Sequence, residues 1–463
     1  MSLRKLLILP CLALPALAVA PAVAGAAVRL TSTTFTVEEG AGAATITFTR
    51  DDPSRRGEVR YGAWHRSAQP HHDYKPVKGR VDLAPGQREG SFQVPIVDDP
   101  LVEPKETIAV GIFGTYPERV GRPSRALLTI VDDDAISTER DPVNPLGLNP
   151  PPPGGNPLHG ARFYTNPPAT LAGTVARRIR RKRPAAARAL SVIAEQPEAK
   201  RFGSWNRKPG HAVAQWLSAA HHHDPDEVPL LATYRLRHRS CGGVGDSRRE
   251  AARYKEWYRK FAQGVGNQRV VIFYEIDALI TVKCLSRRGL RTRIDEMRSA
   301  IATLAALPRA VVYVDAGASD ARPPQNMAKL LRKVGVGRIQ GFYTNATHQN
   351  KTLREIKYAN KISARIGGKH YVINTATNGK GALRPRNRVR YGNSIRCNAP
   401  DRGLGPKPTW NVPARFGRLD GVFWIGNPGR SAGSCGRLDA PAGSFALSYA
   451  LELIKNANFR LPR

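Results

Sequence analysis

The chain has 463 residues, more than one ordinary hydrophobic core accommodates, so two or more domains are expected. Hydrophobic residues make up 41% of it, which excludes a chain too polar to pack globular domains. The formal net charge of +35 favours anionic partners, whether nucleic acid, acidic glycan or an anionic cell envelope, and says nothing about fold.

The first 26 residues, "MSLRKLLILPCLALPALAVAPAVAGA", place Arg4 and Lys5 before an apolar run that ends in Ala24-Gly25-Ala26. This is the pattern of a secretory signal peptide, so the mature protein is expected to be secreted. Pro10, Pro15 and Pro21 interrupt the run, and no later stretch has about 18 uninterrupted apolar residues, so no transmembrane segment is expected after removal. Cys11 leaves with the signal. Cys241, Cys284, Cys397 and Cys435 remain, an even number that implies two disulfides with three possible pairings. Zinc is the weaker reading, because there is no C-x-x-C.

Residues 28–135 read as short strands: "TFTVEE", "ATITFTR", "GEVRYGAW", "GRVDLA", "SFQVPIVDD", "ETIAVGIF" and "ALLTIVDDD". Most alternate apolar and polar residues, and Gly, Pro and Asp separate them, which predicts an all-β sandwich. Residues 136–156 contain "NPLGLNPPPPGGN", a proline-rich stretch expected to be an extended linker.

From 157 to 463 apolar runs alternate with helical stretches. The predicted strands are "ALSVIAEQ", "PLLATYRL", "RVVIFYEID", "RAVVYVDAG", "RIQGFYTN", "HYVINTAT" and "GVFWIGN". Between the second and third, Ala251, Tyr254, Tyr258 and Phe261 mark one helical face. Such alternation predicts parallel strands covered by helices. Tyr234, Asp277, Asp315, Asn345 and Asn374 fall at strand C-termini, the end that carries the active site in α/β barrels. Asp277 and Asp315 end neighbouring strands. Two carboxylates across a cleft suit glycosidic hydrolysis, one donating a proton and the other activating water. Asp is equally favoured as a helix N-cap. "HHHDPDE" reads as a polar loop rather than a metal site. "RRIRRKR" reads as a solvated helix face, and no nucleic-acid partner is expected.

Several motifs make the second domain resemble glycoside hydrolase family 6, the inverting cellulases. "YEIDAL" is similar to the family's E-P-D-[AS]-L, and "YVDAG" to its Y-L-D-A-G-H. "NTATNGKG", "CNAPDRGLG" and "FWIGNPGRSAGSCG" follow in family order. The resemblance implies a distorted, incomplete TIM-like barrel and a β-1,4-glucan substrate cleaved with inversion, with no cofactor for catalysis. It implies Asp277 as general acid, Asp315 as a supporting carboxylate, and disulfides Cys241–Cys284 and Cys397–Cys435. Tyr234, Arg239, Trp205, Asn345 and Trp424 fall on substrate-binding positions.

The departures are specific. Ser240 stands where the family has the aspartate that tunes the acid. Ala432 stands at the usual base-candidate aspartate. Gly426 replaces a lysine, Arg430 a glutamate, Ala318 a histidine and Arg396 an aromatic platform. A positioned acid or base typically contributes about 10²–10⁴-fold, so these losses imply weakened catalysis unless Asp315, Glu275 or Asp246 substitutes. The alternative is a carbohydrate-binding protein on the same fold, turned by Arg396 and Arg430 toward anionic glycans. The first domain is similar to a Calx-beta domain, whose acidic residues can bind calcium. The matching positions are Glu38, Asp73, Asp98, Asp99, Glu103, Asp132 and Asp133, an oxygen-only set of the kind Ca²⁺ takes.

Overall fold

The computed structural model describes residues 26–99, 103, 105–134, 141–150, 155–236, 247–383, 398–434, 438 and 440–462. The chain divides into two compact units, the first built on the strands up to Ile130 and the second running from Val131 onward.

The first unit is an antiparallel sandwich. One sheet orders Glu89–Pro95, Ala43–Arg50, Ala27–Leu30 and Arg119–Val120, the last pair being parallel. The other orders Thr34–Glu38, Arg125–Val131, Glu106–Tyr116, Gly57–His65 and Lys78–Leu83. Alternation is the reason. In Ala43–Arg50 the residues Ala44, Ile46 and Phe48 are buried and join Val59, Val94, Ile108 and Leu128 in one core, while Thr45 faces outward.

The second unit carries a seven-stranded, all-parallel sheet. Its strands are Lys200–Gly203, Leu230–Tyr234, Val270–Tyr274, Ala310–Asp315, Gly341–Thr344, His370–Asn374 and Leu419–Phe423, adjacent in that order. Parallel neighbours need crossovers, and helices such as Arg248–Val265, Arg287–Ala305 and Pro324–Val334 supply them. The sheet is buried on both faces. Val270, Ile272 and Tyr274 pack outward against the helices with Tyr258, Phe261 and Met297. Val271 and Phe273 point inward with Val311, Tyr313, Tyr343, Val372 and Phe423. Continuous apolar runs follow from this two-sided burial.

Three expectations are corrected. "ALSVIAEQ" is helical, spread over Pro184–Ala189 and Ser191–Ala194, and the first strand is the short Lys200–Gly203. Pro184 at the first helical position, followed by three alanines, outweighs the apolar run. His221–His223 form the last turn of the helix Pro209–His223 rather than a loop. In the proline-rich stretch, Leu146 and Leu148 are buried in the inner core of the sheet, and Asn144 hydrogen-bonds both ends of Leu148. Two leucines in a spacer therefore anchor it to the barrel. Among the described residues no helix is long and apolar enough to cross a membrane.

Candidate active site

The strand Val270–Tyr274 ends in a turn where Glu275 (φ 50°) and Asp277 (φ 66°) both take the left-handed conformation. Non-glycine residues hold that conformation only where the surroundings enforce it, at a cost of ~1–3 kcal/mol each. Glu275 supplies the enforcement. It is fully buried, and its carboxylate accepts the N–H groups of Arg235 (2.9 Å) and Leu236 (3.2 Å) and the hydroxyl of Tyr258 (2.6 Å). Its own N–H donates to Thr233 Oγ1 at 3.1 Å. The ends of two neighbouring strands and a covering helix are thus tied at one carboxylate. Glu275 is committed to structure and does not reach the cleft.

Asp277 does reach it. It lines a cleft of about 640 Å³ at the C-terminal ends of the strands, with Trp205, Tyr234, Asn374 and Tyr449 among the other walls. The Thr347 hydroxyl donates to Asp277 Oδ1 at 2.7 Å and fixes the rotation of the carboxyl. The Asp277 N–H donates to Asp315 Oδ2 at 2.5 Å, and the Gly317 N–H donates to Asp315 Oδ1 at 2.8 Å. Asp315 is buried behind the wall. Burial pushes its carboxyl up to about 8, the Asp277 charge adds to the rise, and the two backbone N–H groups oppose it. Asp315 therefore favours its neutral form at pH 7.

Tyr234 ends its strand and faces the cleft. Trp205 is 55% exposed there, an open ring face of the kind that apolar sugar faces stack on. Gly203 makes room for it: a Cβ on Gly203 would lie 2.6 Å from the Trp205 ring and 2.4 Å from the Tyr234 carbonyl oxygen. Asn345 and Trp424 stand behind the cleft instead of in it. Asn345 is fully buried, donating to the carbonyls of Asn350 (3.0 Å) and Asn374 (3.1 Å). Trp424 is 2% exposed, donates its indole N–H to the Pro406 carbonyl at 2.9 Å, and packs with Leu404 and Tyr449. The resemblance put Trp424 on a substrate-binding position, but here the ring completes the core.

Ala432 and Gly426 also line the cleft. Among the described lining residues, Asp277 is the one carboxylate. Sequence reasoning missed Arg201, which belongs to the unrecognised short strand, and His348, which lines the cleft with Nδ1 2.5 Å from Asp320 Oδ1. Arg239, Ser240, Cys241, Asp246, Arg396, Cys397 and Cys435 lie outside the described residues, as do residues 1–25. Cys284 is disulfide-bonded.

At the sandwich, Asp73 and Glu106 are buried and bring carboxylate oxygens within 4.8 Å of one another. Asp132 accepts the N–H of Glu103, and burial raises its carboxyl. Asp134 is raised by burial, then by the charges of Asp98 and Asp133, and its Oδ2 is buried with no hydrogen-bond partner among the described residues. Glu38, Asp98 and Asp133 are exposed, and Asp133 accepts the Gly40 N–H at 3.2 Å. Asp99 and Glu103 are half-buried. Acidic oxygens that lift one another's protonation suit a hard cation.

Residues 158–457 match the family model described as glycosyl hydrolases family 6, and residues 24–134 match the Calx-beta domain model. Among curated proteins, the chain is 33% identical to Endoglucanase 1 of Streptomyces sp. (strain KSM-9) over 271 residues, 56% of this chain and 70% of that one. It is 31% identical to Endoglucanase A of Cellulomonas fimi, covering 58% of this chain and 56% of that one. Among solved structures, the endoglucanase Cel6 from Mycobacterium tuberculosis, in complex with methyl-cellobiosyl-4-deoxy-4-thio-β-D-cellobioside, is 34% identical with a TM-score of 0.58. That match covers 65% of this chain and 99% of that one. The chain belongs to glycosyl hydrolases family 6, with a Calx-beta domain at its N-terminal end.

Proposed function

We propose that this family 6 member hydrolyses β-1,4-glucan with inversion, and that Asp277 delivers the proton to the leaving oxygen. The observation that carries the reading is the placement of Asp277. It stands in the cleft, held by Thr347 through one oxygen and anchored by its backbone to Asp315. Trp205 and Tyr234 supply ring surface for sugars on the same walls. In an inverting step, the bond from C1 to the leaving oxygen breaks as that oxygen takes the Asp277 proton. Water attacks C1 from the opposite face and gives up a proton to a base. That base is unassigned, since Ala432 lies where the family resemblance puts an aspartate. The test is reducing-sugar release from soluble β-glucans by the mature protein, with the product anomer read by NMR. Asp277→Asn should lower the rate about 10²–10⁴-fold, and the first-formed product should be the α-anomer. Equal rates in the two proteins would remove Asp277 from the reaction.

A second reading has its own support. With Asp277 the one carboxylate among the described lining residues, the cleft can bind a glycan without activating water. Retained glycan binding with no hydrolysis on any substrate would establish this reading in place of the first.

Three narrower assignments accompany the proposal. The chain is exported by its leader. Cys284 pairs with Cys241, and Cys397 with Cys435. The sandwich holds Ca²⁺ through Asp134, Asp132 and neighbouring carboxylates, since a buried acidic oxygen with no partner fits a cation's ligand. Calcium added to the chelated protein should raise the thermal midpoint of the sandwich, and Asp134→Asn should reduce that rise. A midpoint insensitive to calcium would remove the assignment.

A further inference from the structure

The cleft that holds Asp277 also holds two guanidinium groups, from Arg201 and Arg430. They come from opposite ends of the domain, Arg201 from the strand Lys200–Gly203 and Arg430 from the turn after the last strand. Their nearby counter-charge is incomplete. Arg430 Nη2 lies 3.5 Å from Glu198 Oε1, an oxygen that already accepts the Asn427 amide at 3.0 Å. Among the described residues, Arg201 Nη2 reaches only the Ile425 carbonyl, at 3.5 Å. The Nε atoms of both arginines are buried with no hydrogen-bond partner among the described residues. Two cations therefore share one carboxylate in a partly desolvated corner. Burial and the neighbouring Arg430 charge both lower Arg201, to about 10, so it stays charged at neutral pH against a clear electrostatic cost.

Unpaired buried donors of this kind are stabilised by an anion from outside. A guanidinium fork matches a carboxylate through two parallel N–H donors, so a planar carboxylate suits the corner better than a lone hydroxyl does. Gly426 leaves the adjoining wall without a side chain. A Cβ there would meet Ala376 at 3.3 Å, so the backbone sits close to its neighbour on the cleft wall. The ring faces of Trp205 and Tyr234 on the same cleft say that the anion arrives on a sugar.

We infer that Arg201 and Arg430 form a carboxylate subsite, and that the glycan taken by this cleft is a β-1,4-linked chain carrying uronic-acid units. This deepens the glycan-cleft reading proposed above and rests on it. Both arginines act by binding and orienting the carboxylate; neither takes part in bond breaking.

The test uses calorimetry on the full-length mature chain carrying Asp277→Asn, which separates binding from turnover. Three ligands of equal length are compared: a neutral cello-oligosaccharide, its C6-carboxylated counterpart and an O-sulfated one. The carboxylated ligand should bind at least about tenfold more tightly than the neutral one at low salt, and the ratio should shrink as salt rises. Arg430→Gln should bring the ratio close to one, and Arg430→Lys, which keeps the charge but loses the fork, should fall between. Arg201→Gln provides a second variant should the first fail to fold. Equal affinity for neutral and carboxylated ligands, or a ratio untouched by Arg430→Gln, overturns the inference. Preference for the sulfated ligand overturns the carboxylate assignment. Hydrolysis of neutral glucan by the unsubstituted chain, without carboxylate preference, overturns the inference and leaves the proposed hydrolysis standing. Carboxylate preference without hydrolysis does the reverse.

Discussion

Glu275→Gln separates a structural carboxylate from a catalytic one. In the folded chain the Glu275 carboxylate accepts from Arg235 N–H, Leu236 N–H and Tyr258 hydroxyl at 2.9, 3.2 and 2.6 Å, with no exposure to solvent. A hydrogen bond to a charged acceptor contributes ~1.5–3 kcal/mol and one to a neutral acceptor ~0.5–1.5, so neutralising three costs about 3 kcal/mol. The new amide also turns a donor toward the Leu236 N–H, which Glu275 Oε2 accepts at 3.2 Å. Relief from burying a charge offsets part of this, but a carboxylate surrounded by donors gains little from neutralisation. The net loss should be about 2 kcal/mol. Urea denaturation reports it, followed through the barrel signal because two domains do not unfold as one transition. Activity should fall alongside, since the same carboxylate holds the turn that aims Asp277. The competing idea is that Glu275 activates water in place of the missing aspartate. That idea requires a rate loss of about 10²–10⁴-fold with the denaturation midpoint unchanged. An unchanged midpoint would refute the structural role of Glu275.

Asp315 gives the chain a pH signature. Its carboxyl lies at about 8 in the folded state against 3.8 as a free group, so the native state holds a proton that the unfolded state releases between those values. The Asp315 contribution to stability is therefore fully present below pH 3.8 and is lost as pH rises through about 8. Asp315→Asn should flatten the stability profile across that window; an unchanged slope would contradict the raised carboxyl. Gly341 pairs with His370 across parallel strands, and a Cβ there would lie 1.8 Å from the His370 carbonyl oxygen. Gly341→Ala should thus destabilise the barrel by about 3 kcal/mol or prevent its folding, read by far-UV circular dichroism and yield of soluble protein. A fully stable variant would show that the two strands can separate without loss.

What the sequence made legible was periodicity. Six of the seven barrel strands are apolar runs buried on both faces, and the sandwich strands alternate as their two environments demand. The first barrel strand, Lys200–Gly203, was not legible, because four residues beginning Lys-Arg carry no apolar pattern. With it went Arg201, whose place in the cleft depends on pairing with Leu230–Tyr234 and not on any local signal. Trp424 failed in the opposite sense. The family resemblance put it on a substrate-binding position, whereas the contacts that bury it come from Pro406 and Tyr449 in distant segments. Leu146 and Leu148 were hidden by the prolines that follow them. Local composition described the stiffness of that stretch but not the core that receives its two leucines.

The two carboxylates of "YEID" show how one backbone detail assigns different work to near neighbours. In an extended strand, residues two apart share a face, so Glu275 and Asp277 would point the same way. Up to Tyr274 that parity holds: Phe273 lies in the inner cluster, and Tyr274 meets Tyr254 of the covering helix, hydroxyl to hydroxyl at 2.7 Å. The left-handed turn at Glu275 then breaks it. Glu275 stays on the helix side with Tyr258, Ile276 drops into the inner cluster, and Asp277 emerges beside Thr347 in the cleft. A residue at positive φ is costly, and Glu275 offsets the cost itself by accepting the N–H groups at the end of the neighbouring strand. The carboxylate that cannot reach substrate is therefore the reason the other one does.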